Sequence, residues 1–174
     1  FARRTPILPV EQAIYDIERA GLELLAACGF KRYEISAFSQ PDQQCKHNLN
    51  YWQFGDYLGL GAGAHGKRTD RRNGALHPMR ISKAHQPRVY LADPAAATEH
   101  PVDKDEIVLE FMMNALRLVD GVDWALLEQR TGHKKSDLGD KWSNLEEQKL
   151  VTTNRCGATA KGLRYLDSIL QVFI

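Results

Sequence analysis

Cysteine is scarce, and the little there is excludes two architectures. Cys28, Cys45 and Cys156 lie far apart, are odd in number, and form neither a CxxC pair nor a Cys/His zinc spacing. They argue against a disulfide framework and for a reducing, cytoplasmic setting. Long hydrophobic runs are also missing: nothing approaches the roughly 18 apolar residues of a spanning helix, and no basic segment followed by an apolar one opens the chain. Nor is there an excess of one charge. The net charge is +1 over 174 residues, so neither disorder nor a polyanion-binding surface is indicated. No methionine stands at the first position; Phe1 leads into Thr5-Pro6-Ile7-Leu8-Pro9, which reads as an entry into the middle of a longer protein.

What is present is organised segment by segment. From Pro9 to Cys28, the positions Ile14, Ile17, Gly21, Leu24, Leu25 and Cys28 fall three or four apart, predicting an amphipathic helix with Pro9 in its first turn and Gly29 past its end. Lys31 to Phe38 alternates and predicts one strand. A helix, a one-glycine turn and a strand make an α/β unit of the kind found in parallel sheets, which place ligands beyond the carboxyl ends of their strands. The following loop, Ser39 to Phe54, would then hold a site. Asp56 to His65 reads as a second, inner strand. Asn73-Gly74 signals a tight hairpin that sets Lys67 to Thr69 against the segment near Met79 to Ile81. This ribbon is basic, with seven Lys or Arg between Lys67 and Arg88 and the single acid Asp70.

Residues 93–103, with Pro94, Pro101 and a run of alanines, read as a linker between a first part, 1–92, and a second, 104–174. The second part predicts a helix over Asp105–Val119, a helix capped by Asp123 and ending before Gly132, another over Ser136–Lys149, a short strand at Leu150–Thr153 turning at Arg155-Cys156-Gly157, and a last helix capped by Thr159. Three helices, a small hairpin and a closing helix make a winged-helix-like module. A nucleic-acid-binding role for it is disfavoured by charge: residues 1–99 carry +3 and residues 100–174 carry −2, with acids mixed into the presumed recognition helix.

The stretch most suited to a ligand is His47-Asn48-Leu49-Asn50-Tyr51-Trp52, followed by the run Gly59 to Gly66. His47 offers a metal ligand or hydrogen-bond donor, and Tyr51 and Trp52 offer flat surface; the competing reading is a loop histidine bonded to a neighbouring carbonyl and aromatics that fill a gap. The glycine pattern superficially matches a dinucleotide fingerprint, but no amphipathic helix opens after it, which argues against that use.

At Tyr33 to Phe38, His47 to Trp52 and Gly55 to Gly66 the sequence resembles the radical S-adenosylmethionine haem chaperones, a family long described as oxygen-independent coproporphyrinogen III oxidase-like. The HNxxYW element and GDYLGxGxGAHG carry the resemblance, which extends over the whole chain as the C-terminal part of such a protein. It implies the C-terminal end of a partial (β/α) TIM-like barrel followed by a helical, winged-helix-like domain. It also implies a 4Fe-4S cluster, S-adenosylmethionine and haem in the full-length protein, with haem-receiving clients, membrane-side ones included. His47, Asn48, Tyr51 and Trp52 would be haem-associated, His47 as an iron ligand, and Gly61, Gly63, Ala64 and His65 would line the cofactor pocket. Asn50 is variable in that pattern. The CxxxCxxC cluster motif is lacking, so this piece alone is expected to hold no catalytic residue and to be inactive. Three roles follow from the resemblance: haem trafficking, which HNxxYW favours, oxidative decarboxylation of two porphyrinogen propionates, and a folded remnant without activity.

Overall fold

The computed structural model describes residues 8–104 and 106–174, so the entry segment lies outside the described residues up to Ile7. The chain forms two compact units, Phe1–Gln44 and Cys45–Ile174.

In the first unit, α1 spans Glu11–Ala27 behind the N-cap Val10, so Pro9 precedes the helix instead of opening it. The N–H of Gly29, at φ 81°, donates to the Ala26 carbonyl and that of Phe30 to Leu25, a Schellman stop that only a left-handed residue permits. The single strand expected over 31–38 is corrected: β1 (Lys31–Glu34) and β2 (Ala37–Ser39) form an antiparallel hairpin. The turn has a local cause. The Glu34 carboxylate accepts the Ser36 N–H at 3.0 Å, while the Arg32 guanidinium donates to the carbonyls of Glu34 and Ile35.

In the second unit, α2 spans Lys46–Trp52, where a loop was expected. Leu49 and Trp52 lie three apart and both pack on the core, so the helical period brings to it two large, partly buried side chains that an extended loop would split between faces. The inner strand expected at 56–65 is not formed. Gly61 at φ 108° and Gly63 at φ 71° interrupt it, and Tyr57 pairs with Lys67 only as an isolated bridge. β3 (His65–Arg72) and β4 (Ala75–Ser82) make the expected hairpin, with Arg72 opposite Ala75 and both turn residues, Asn73 and Gly74, at positive φ. Lys67 faces Arg80 and Thr69 faces Pro78, within one residue of the register read from sequence. A short helix, α3 (Pro87–Ala92), precedes β5 (Thr98–Pro101), which adds antiparallel to β4. The segment read as a linker therefore carries a strand, and both described sheets are antiparallel where a parallel one was expected.

The remaining helices are α4 (Ile107–Ala115), α5 (Trp124–Thr131), α6 (Asp140–Glu147) and α7 (Leu166–Gln171). Phe111, Met112, Leu116, Leu127, Trp142 and Ile169 are buried among them. The Asp123 carboxylate accepts the Ala125 N–H at 2.8 Å and Gly132 ends α5 in the left-handed region, both as expected. The helix expected over 136–149 divides at Gly139 into a 3-10 turn, Lys135–Leu138, and α6. The expected wing is reduced to single bridges, Val151 with Ala158 and Val122 with Cys156. The Thr159 hydroxyl caps the next turn by accepting the Gly162 N–H at 3.0 Å. The mixed α/β composition stands, with the wing and barrel details absent from the described elements.

Candidate functional site

Because α2 is helical, the residues of the HNxxYW element separate by face. Leu49 and Trp52 turn to the core, and the Trp52 ring takes the Arg117 guanidinium at 4.3 Å from its centroid. His47 and Tyr51, one turn apart, lie together on another face with ring centroids 4.7 Å apart in edge-on geometry. Tyr51 in turn meets Tyr57 at 4.3 Å. The result is a run of three aromatic rings ending in an exposed imidazole. Trp52 is thus withdrawn from the wall it was expected to join, and Tyr57 takes that place. Asn48 is half-buried and engaged with neighbouring groups. Asn50, variable in the family pattern, has a structural task here: its amide donates to the Asp56 carbonyl at 2.9 Å, and a Cβ on Gly55 would run into it.

A buried lysine holds this surface in place. Lys67 is 2% exposed, and its ammonium donates to the Phe54 carbonyl at 3.0 Å, Asp56 Oδ1 at 2.9 Å and Thr69 Oγ1 at 3.2 Å, above the Phe54 ring. Three acceptors satisfy all three of its protons. Burial lowers its pKa below the ordinary lysine value, against the opposing pull of Asp56. Burial pushes the Asp56 carboxyl upward, but hydrogen bonds from Lys67 and Thr69 outweigh it and hold the group below the usual value of 3.8. This latch joins the end of α2 to β3. Arg80 adds a second tie, donating to the Tyr57 hydroxyl at 3.2 Å and to Glu110 of α4. Sequence reasoning counted Lys67 only as one of the seven cations of a basic ribbon; nothing in a local window distinguishes it from Arg68 or Arg72.

The glycine run forms a loop beside the start of β3. The Gly61 N–H donates to the Tyr90 hydroxyl at 3.2 Å and the Gly63 N–H to the Ala84 carbonyl at 2.8 Å, while the Ala64 carbonyl accepts from Lys83. His65 is exposed and meets His85 with ring centroids 6.3 Å apart. The two groups of expected site residues are connected through Tyr57, whose ring contacts Tyr51 and whose backbone pairs with Lys67, two residues after His65.

These residues suit a planar aromatic ligand approached by an imidazole. They do not suit an iron–sulfur cluster. Among the described residues no group of three His, Cys, Asp or Glu side chains is placed to hold a metal ion, and Cys156 is buried with its thiol pushed up to about 12.

Residues 102–157 match the HemN C-terminal domain. Over its whole length the chain is 38% identical to the heme chaperone HemW of Haemophilus influenzae, covering 45% of that protein, and 34% identical to HemW of Escherichia coli, covering 46%. It is 29% identical, over 90% of its length, to the radical S-adenosyl methionine domain-containing protein 1, mitochondrial, of Dictyostelium discoideum. The chain spans less than half the length of these relatives. No solved structure matches. The resemblance read from the motifs is thereby borne out: this chain is a relative of the C-terminal part of that family.

Proposed function

From a chain that is related along its whole length to the C-terminal part of haem chaperones, we propose that the whole protein binds haem and passes it to client proteins. The observation that supports this most directly is the His47–Tyr51–Tyr57 ring run on α2 and the loop behind it. In this reading, haem is cargo. The exposed His47 imidazole meets the iron, Tyr51 and Tyr57 give the macrocycle an aromatic wall, and the Lys67–Asp56 latch fixes the helix end that carries them. Asn48 shapes the helix, and Gly61, Gly63, Ala64 and His65 line the neighbouring pocket. A 4Fe-4S cluster and S-adenosylmethionine would be held by parts of the protein preceding this chain, where they would supply radical chemistry. The division we favour assigns residues 1–92 to the end of a barrel and residues 104–174 to a winged-helix-like domain, in a cytoplasmic protein without nucleic-acid partners. No helix among the described residues is long and apolar enough to cross a membrane.

The test uses the whole natural protein. His47→Ala should weaken haem binding in a Soret titration by about tenfold or abolish haem transfer, with the circular dichroism unchanged. An unchanged titration together with unchanged transfer would sink the assignment of His47. Conversion of coproporphyrinogen III to protoporphyrinogen IX by the anaerobically reconstituted protein would overturn a role confined to trafficking.

A further inference from the structure

The second unit has a cavity away from the HNxxYW helix. It is a cleft of about 750 Å³ between the β4–β5 end of the sheet and the helices α4 and α5. That is a size suited to one organic molecule. Its floor is apolar, since Pro78, Val102 and Ile107, which line it, are all buried. Arg71 lines it as well, and the β3–β4 register explains why. Lys67, Thr69 and Arg71 alternate onto one face of β3, and their cross-strand partners Arg80, Pro78 and Leu76 share it, so Arg71 stands on the side where Pro78 is buried.

The charges of the cleft are unevenly committed. Arg68, Arg72 and Arg80 of the same hairpin each have an acid, Glu99, Asp70 and Glu110 respectively. Arg71 and Lys104, both exposed, have no side-chain partner among the described residues. Of the acids that line the cleft, Glu128 is taken by Lys134 at 3.4 Å and Asp103 is engaged with neighbouring groups. Two uncommitted cations above an apolar floor suit a ligand with an apolar body and a carboxylate, which a guanidinium binds through two parallel hydrogen bonds. A polyphosphate is disfavoured because it has no apolar body to cover the floor. We propose that this cleft binds an amphipathic organic carboxylate, with its body on Pro78, Val102 and Ile107 and its carboxylate between Arg71 and Lys104.

The whole natural protein would be titrated by calorimetry with metal-free protoporphyrin IX, with its dimethyl ester and with palmitate. Saturable one-to-one binding of the free porphyrin or of palmitate is expected, and which of them binds identifies the source as a tetrapyrrole or a lipid. Affinity should fall about tenfold for the ester and for the double variant Arg71→Gln/Lys104→Gln, whose exposed positions leave folding intact. The double variant should keep the parent's haem Soret titration, which separates this cleft from the proposed haem surface. No binding of either acid, equal binding of acid and ester, or unchanged affinity in the double variant would overturn the proposal.

Discussion

Asp56 illustrates how one carboxylate couples the site to stability. In the folded chain it accepts from the Lys67 ammonium, the Thr69 hydroxyl and the Thr69 N–H, and these bonds lower its pKa against the pull of burial. A carboxyl with a depressed folded pKa binds fewer protons than it does unfolded, so it contributes stability above the unfolded value of 3.8 that is lost as pH falls through the folded one. Asp56→Asn should therefore flatten the acid limb of a plot of urea midpoint against pH as pH falls below about 5. The slope should shrink without vanishing, because hydrogen bonds from Arg68 to Asp70 and from the Lys134 N–H to Asp137 also lower those carboxyls. An unaltered acid limb in the variant would show that the latch is not formed in solution.

At the scale of elements, local chemistry made some pieces legible and concealed others. The Asn73-Gly74 turn, the Asp123 cap and the Gly29 stop were readable because each depends on residues within a few positions of itself. The helical state of 46–52 was not. It depends on Leu49 and Trp52 finding a core supplied by residues some sixty positions later, among them Phe111, whose ring meets Phe54 at 5.8 Å. Lys67 was concealed for the same reason, since its burial comes from Phe54 and Asp56 closing over it. The glycine run misled because period and composition suited a strand, whereas positive φ at Gly61 and Gly63 bends it into a loop. Two glycines make the distinction measurable. A Cβ at Gly59 would collide with the His65 carbonyl, so Gly59→Ala should cost about 1–3 kcal/mol. Gly21, within α1, has nothing nearby, so Gly21→Ala should add up to about 1 kcal/mol. Denaturant midpoints moving in the same direction for both would contradict these two local geometries.

Across the whole molecule, the thiols report which parts are closed. Cys28 and Cys45 are exposed; Cys156 lies in the core, 3.6 Å from the Met112 sulfur, with burial pushing its pKa to about 12. A thiol reagent such as Ellman's should label two sulfurs rapidly and the third only at the rate at which the second unit opens. Three fast thiols would mean that this core is not closed. The helix read over Asp105–Val119 contributes Phe111, Met112 and Ala115 to this core, while the wing was expected from the order of helices and a short strand, and the barrel from the resemblance.

The contact of Phe54 with Phe111 has an implication for how this protein can be divided or inherited. The region recognisable as the HemN C-terminal domain starts at residue 102, yet the HNxxYW helix, far upstream of that border, leans on side chains beyond it. The border of the recognised domain is therefore not a seam in the packing of the fold. A peptide bearing the motif alone, or a chimera that exchanges everything after residue 101, would inherit the letters of the motif without the support that gives them shape.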